Sequence, residues 1–311
     1  MKVQFANLRE ELLYRALRIR LVEERIVALY PTDKIQSPVH LSIGQEAVAV
    51  GACQSLTTDD LLFCSYRSHA FYLAKGGDLG AMFAELFGKV TGCGGGKAGS
   101  MHLAAPEVGL MGASAVVAST VPHAVGAALA AKRLGKAQVV VAAFGDGATE
   151  QGVYHESLNF AALHRLPVIF LCEDNGLAVH SPLAARQAYR IVEHAAVYGL
   201  PVATIAEGHD PVSVHAVFAR VVAEVRERRT PRFVHVRTFR AREHVGPGED
   251  WDAGYRSREE LLAWRARDPL VHEHALTAKF RPAILEEIDA AVAFAEQSAR
   301  PDERQLLADV L

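Results

Sequence analysis

Residues 138–152 read QVVVAAFGDGATEQG, and residues 166–176 read LPVIFLCEDNG. Each opens with an uninterrupted apolar run, short and rich in β-branched residues, the pattern of a strand buried on both faces. Each run then stops abruptly, at Gly145-Asp146-Gly147-Ala148 in the first and at Glu173-Asp174-Asn175-Gly176 in the second. Between them, Thr149 to Leu163 reads as a helix. Residues 148–174 therefore have the length of one crossover helix plus one strand, which sets Asp146 and Asn175 at the ends of parallel strands on one rim of a sheet. Ligands bind beyond that rim in open α/β sheets. Two glycines around an Asp let the backbone approach an anion while the carboxylate faces a cation, and the following helix start favours a phosphate. The Asn175 amide oxygen and a nearby loop carbonyl would complete a hard, oxygen-lined Mg²⁺ site. A lone Gly-Asp-Gly is as readily an Asp-capped turn. The ordered conjunction of strand, turn, helix, strand and Asn is what raises it to a candidate site.

Working outward, residues 7–30 read as a long amphipathic helix, capped by Asn7 with Glu10 at the third position and carrying Leu13, Leu17, Leu21 and Val22 in its apolar stripe. Residues 124–134 look helical, and residues 202–205 and 232–236 read as further strands. Asp210 and Pro211 open a helix with Val214, Val217, Phe218, Val221, Val222 and Val225 on one face. The expected fold is α/β, a parallel sheet flanked by helices on both faces. It forms one domain over 1–311, with 1–35 an N-terminal and 257–311 a C-terminal helical segment. Residues 40–101 mix short helical runs with Gly-rich connections; GGGKAGS at 94–100 lacks the GxxxxGK[ST] spacing of a phosphate loop and reads as a mobile loop near the site entrance. Residues 108–131 contain no Asp, Glu, Lys or Arg, but Ser114, Ser119, Thr120, Pro122 and His123 interrupt them, so a buried loop followed by an interior helix is expected there, not a membrane span.

The chain has 311 residues, 33 Lys+Arg against 36 Asp+Glu, and a net charge of -3. No basic excess marks a nucleic-acid surface, and the apolar content excludes intrinsic disorder. Cys53, Cys64, Cys93 and Cys172 show no CxxC pair, so thiols in a reducing compartment are expected, and no signal peptide is evident; the expected location is cytoplasmic. A mean hydropathy of +0.10 hints at a face buried against a partner. His155, His164 and His235 read as packed or solvent-facing residues, and Arg226, Arg228 and Arg229 as the solvated end of their helix.

With these motifs in place, the sequence resembles the α subunit of the thiamine diphosphate-dependent, decarboxylating component of 2-oxo acid dehydrogenases, the family of pyruvate, branched-chain 2-oxo acid and acetoin dehydrogenases. The resemblance runs from about His40 to Pro269 through HLSIGQEAVAVG at 40–51, SYRSHA at 65–70, GKAGSMH at 96–102, GDGATEQG at 145–152, LPVIFLCEDNG at 166–176 and TFRAREH at 238–244. It implies that Asp146, Asn175 and the main-chain carbonyl of Leu177 ligate Mg²⁺, and that Gly145, Gly147 and Ala148 cradle the diphosphate. Tyr66 and Arg67 would reach the diphosphate, Ala115 and Val117 would hold the aminopyrimidine ring, His244 would serve cofactor binding and acyl transfer, and His69 would be a second active-site histidine.

The implied reaction is decarboxylation of a small 2-oxo acid, with the acyl group passed to a lipoyl-bearing or other carrier protein. The implied assembly is α2β2, the β subunit supplying the aminopyrimidine-binding domain and an activating glutamate. The N-terminal half of a split transketolase-type ketol transferase and a non-catalytic assembly subunit are the alternatives. The sequence departs from the family at Asp174, where a second asparagine is usual, at Ala115 and Ala118, where glycines are common, and at Glu243-His244-Val245, where GHS is usual and a phosphorylatable serine is therefore absent.

Overall fold

The computed structural model describes residues 3–305 and 308. In chain order it contains α1 (Leu8–Leu29), α2 (Glu46–Cys53), β1 (Leu61–Ser65), α3 (His69–Lys75), α4 (Leu79–Leu86), β2 (Leu110–Ser114), α5 (Thr120–Arg133), β3 (Val140–Gly145), α6 (Gly152–Leu163) and β4 (Val168–Asp174). A small hairpin follows, β5 (Leu177–Ala178) with β6 (Ser181–Pro182), and then α7 (Ile191–Val197), β7 (Val202–Ile205), α8 (Pro211–Arg228), β8 (Arg232–Arg237), α9 (Arg258–Arg265), α10 (Pro269–His272) and α11 (His274–Gln297). Six strands form one sheet in the order β2-β1-β3-β4-β8-β7, and every pairing in it is parallel.

Alternation along the strands divides the core. Val141, Ala143, Ile169, Leu171, Val234 and Val236 face a large cluster with α1, α2, α3, α4, α8 and α11, while Val140, Ala142, Phe144, Val168, Phe170 and Cys172 face a smaller one with α5, α6 and α7. Burial on both faces is why the strands are apolar without interruption, and all 7 residues of β4 are buried. The expected α/β fold is met. Asn7 caps α1 by accepting from the Glu10 amide, and Asp210 caps α8 by accepting from the amides of Val212 and Ser213.

Three local expectations change. Strands β1 and β2 lie in regions read as helical or loop, because LLFCS is short and alternates half-buried with buried positions, and LMGAS is a short edge strand of mostly small residues. The uncharged stretch 108–131 supplies edge strand β2 and then α5, which is a surface helix with His123, Gly126 and Ala130 exposed, not an interior one. The Arg226 end of α8 is not merely solvated: Arg226 grips buried Asp60 with two nitrogens, at 3.1 and 2.7 Å, and Arg229 donates to the carbonyls of Gln138 and Lys136. Among the described residues no helix is long and apolar enough to cross a membrane.

Candidate active site

Strands β1, β3 and β4 are neighbours, and their carboxyl ends deliver Ser65-Tyr66-Arg67, Gly145-Asp146-Gly147-Ala148 and Glu173 to one cleft of about 930 Å³, counting its open mouth. Gln45, Val117, Ala118, Asn175, Leu177, Val179 and His244 complete much of the lining. Parallel register explains the convergence: Gly145 pairs with Glu173, so the segments leaving β3 and β4 start side by side. A 3-10 turn, Asp146–Glu150, precedes α6, which begins at Gly152 and not at Thr149 as the sequence suggests.

The Asp146 carboxylate is buried and accepts from Arg186 Nη2 at 2.5 Å. Burial, and next the charge of Asp174, push its carboxyl up to about 6, against the pull of Arg186. Asp174 goes the other way. Burial would raise it, but the hydrogen bond from His235 (2.8 Å) and the nearby Arg237 (2.7 Å) hold it below the usual carboxylate range. The Asp for Asn departure at 174 is thus absorbed by two basic partners. Asn175 turns its amide between Gln45, which accepts from Nδ2 at 2.9 Å, and the Leu177 amide, which donates to Oδ1 at 3.1 Å. Asp146 carboxylate, Asn175 Oδ1 and the Leu177 carbonyl are all oxygen donors, the chemistry a hard divalent cation requires. Among the described residues no group of three or more His, Cys, Asp or Glu is placed to hold a metal, consistent with a donor set that has only one carboxylate. A Cβ on Gly147 would lie 2.8 Å from the Ala178 Cβ, so only glycine lets this turn press against the hairpin that carries Leu177.

On the β1 side, Tyr66, His40 and His244 form a cluster of rings, with centroids 4.5 Å apart for His40 and Tyr66, 5.0 Å for His40 and His244, and 5.6 Å for Tyr66 and His244. Arg67 donates to the carbonyls of Leu41 at 2.6 Å and His244 at 3.3 Å, tying the ring cluster to the sheet. Burial, then the Arg67 charge, lower both His40 and His244 to about 3, so both are neutral imidazoles at physiological pH. Arg240 Nη1 lies 3.4 Å from His244 Nδ1, which sets Nδ1 as the acceptor and leaves the proton on Nε2. Arg240 and Arg256 share buried Asp250, and Glu243 accepts from the Gly248 amide, so the 243–250 segment is organised from within.

Residues 14–302 match the family described as dehydrogenase E1 component. The chain is 34% identical to the α subunit of acetoin:2,6-dichlorophenolindophenol oxidoreductase of Bacillus subtilis, over 95% of this chain and 91% of that one. It is 35% identical to the pyruvate dehydrogenase E1 component subunit alpha of Zymomonas mobilis, over 97% of this chain and 89% of that one. The chain belongs to the dehydrogenase E1 component family. Its similarity is to α subunits of that family, so the resemblance drawn from the motifs is met. A transketolase mutant from Pichia stipitis shares the fold, with a TM-score of 0.59 at 14% identity, covering 94% of this chain and 45% of that one.

Not every residue expected of an E1 α chain reaches the cleft. Tyr66, Arg67, Val117, Gly145, Asp146, Gly147, Ala148, Asn175, Leu177 and His244 line it; Ala115 and His69 do not. The His69 ring is fully buried, with Nδ1 3.1 Å from Glu23 and Nε2 2.7 Å from Ser100. This Ser–His–acid arrangement is sealed from solvent and links α1, α3 and the Gly-rich loop. The same loop is neither a phosphate loop nor part of the cleft lining. The amides of Gly94, Gly96, Ala98 and Gly99 all donate to the Glu85 carboxylate, at 2.7 to 2.9 Å, so the anion in this nest is the chain's own. Ala118 adopts φ +63°, the left-handed region, which gives the physical reason glycine is common there. His40, Gln45 and Arg186 join the site unannounced. His40 and Gln45 stand in the quoted HLSIGQEA motif, whereas nothing in the sequence around Arg186 marks it.

Proposed function

We propose that the chain is the α subunit of a thiamine diphosphate- and Mg²⁺-dependent 2-oxo acid dehydrogenase, which decarboxylates a small 2-oxo acid and hands the acyl group to a lipoyl-bearing or other carrier protein. The observation that carries this is that Asp146, Asn175 and Leu177, which carry a carboxylate, an amide oxygen and a carbonyl, line one cleft with a glycine turn on the rim of adjacent parallel strands. Asp146, Asn175 and Leu177 would hold the cation, and the amides of Gly145 to Ala148 would meet the diphosphate. Two of the five guanidinium N–H groups of Arg67 are committed to backbone carbonyls, which leaves others for a phosphate oxygen. Val117 offers an apolar contact to the cofactor ring. When bound, thiamine diphosphate supplies the electron sink that loss of CO₂ from a 2-oxo acid needs. His244, neutral with its proton on Nε2, can donate a hydrogen bond to a substrate or acyl oxygen at the cleft mouth.

The partner follows from the same cleft. Val117 and Val179 line it at 43% and 46% exposure, and their neighbours in sequence or lining, Val116 and Val245, are 66% and 45% exposed. An apolar rim around a polar site supports a docked β subunit that brings the activating glutamate. The test is to purify the chain alone and with its β subunit, then follow 2-oxo acid decarboxylation with added thiamine diphosphate and Mg²⁺. Turnover by the α2β2 assembly and none by the single chain is expected. Tight Mg²⁺-dependent cofactor binding and turnover by the isolated chain, or ketol transfer between sugar phosphates in place of decarboxylation, would overturn the proposal.

A further inference from the structure

An asparagine can ligate a cation only through its oxygen, yet the two ends of its amide have nearly the same shape. Something must decide which end of Asn175 faces the cation. The Leu177 amide favours the oxygen on its side. The opposite end is set by a chain of contacts outside the proposed ligands. Asn175 Nδ2 donates to Gln45 Oε1 at 2.9 Å, and Gln45 Nε2 donates to Glu173 Oε1 at 3.2 Å. Gln45 and Glu173 are 3% and 5% exposed, so the contact between them is shielded from water. Taken alone, the Gln45 amide is as ambiguous as that of Asn175. In the structure Glu173 removes the ambiguity: its Oε1 accepts from the NH₂ end of Gln45, which turns the Gln45 oxygen to Asn175.

The surroundings hold Gln45 in place for this task. It follows Gly44, whose φ of +95° and whose approach to the Phe239 carbonyl, 2.3 Å from where a Cβ would sit, exclude a side chain. The Gly44 amide donates to Glu46, and Glu46 is locked to Arg20, which also binds Asp268 at 2.9 Å. The turn that presents Gln45 is thus anchored by a buried ion triad linking α1, α2 and the start of α10.

We propose that Gln45 and Glu173 are positioning residues of the cation site, a two-member relay that fixes the polarity of the Asn175 amide so that Oδ1 faces the divalent cation. The inference rests on the cation site proposed above. Groups that orient metal ligands typically contribute about 10–100-fold to metal affinity. The relay also has a direction that a purely space-filling role would lack. Moving the carboxylate from 173 to 45, as in the double variant Gln45→Glu/Glu173→Gln, leaves one acceptor facing two amides, and Asn175 keeps its orientation.

The experiment uses the α2β2 assembly with thiamine diphosphate and reads Mn²⁺ binding by electron paramagnetic resonance, without turnover. Gln45→Leu should weaken Mn²⁺ about 10–100-fold, Glu173→Gln alone should weaken it by about 10-fold, and the double variant should return it close to wild type. Wild-type affinity in Gln45→Leu, or a double variant no better than Glu173→Gln, overturns the relay. If Gln45→Leu fails to assemble, the comparison of Glu173→Gln with the double variant still decides, because those two differ only at position 45. Failure of the wild-type assembly to bind Mn²⁺ in the presence of thiamine diphosphate overturns the cation site itself, a separate outcome.

Discussion

Replacing Asp146 by Asn should stabilise the cation-stripped protein at neutral pH while abolishing its response to Mg²⁺. Only 1% of the Asp146 side chain is exposed, and burial, followed by the Asp174 charge, raises its carboxyl from 3.8 to about 6. The folded chain therefore binds this proton more tightly than the unfolded chain. The resulting stabilisation is fully present below pH ~3.8 and is lost as the pH rises through ~6. Above that, the ionised carboxylate is a net cost of about 3 kcal/mol, allowing for the opposing pull of Arg186. Asn is a near-isosteric neutral group that can still accept from Arg186, so the variant avoids that cost. For a chain of 311 residues the gain corresponds to roughly 5 °C in Tm. Thermal unfolding in chelator should show the variant more stable at about pH 7.5 and indistinguishable at about pH 4. Adding Mg²⁺ with thiamine diphosphate should then raise the wild type by about 2.7 kcal/mol at a hundredfold excess over Kd and leave the variant unmoved. A variant no more stable than wild type at neutral pH, or equally more stable at both pH values, would refute the reasoning.

Two further outcomes follow from buried charge and neutral imidazoles. Because burial and Arg67 hold His40 and His244 at about 3, the pH profiles of kcat/KM for the wild-type assembly and for His244→Gln should differ by a constant factor across about pH 5.5 to 8, and an ionisation near 6.5 that vanishes in the variant would contradict this. Arg20→Met strands Glu46 and Asp268, 4% and 8% exposed, without their shared cation, so a loss of about 3–5 kcal/mol is expected in denaturant unfolding at neutral pH, and a loss below about 1 kcal/mol would show the triad to be dispensable.

Much of the sheet was legible because burial on both faces leaves an unmistakable record. VVAAFG and VIFLCED read as strands covered by helices, and the length between their ends puts Asp146 and Asn175 on one rim. Strands β1 and β2 left no such record. LLFCS alternates between buried and half-buried positions, and LMGAS is an edge strand of mostly small residues, so each is defined by its neighbour more than by its own residues. The Gly-rich loop was legible as a loop in composition, but not as an anion nest, since its occupant Glu85 reaches it from a different helix.

By itself, then, the sequence determined the parallel sheet, the glycine turn and the ligand-type residues of the rim, because strand burial and turn chemistry are local and periodic. Only the tertiary structure decided that His69 is sealed behind Glu23 and Ser100, that Arg186 sits against Asp146, and that Gln45 stands between Glu173 and Asn175. Those placements join residues 31 to 130 positions apart. Side-chain partners at such separations are set by how layers pack and by which buried polar groups must find one another, and neither leaves a local pattern along the chain.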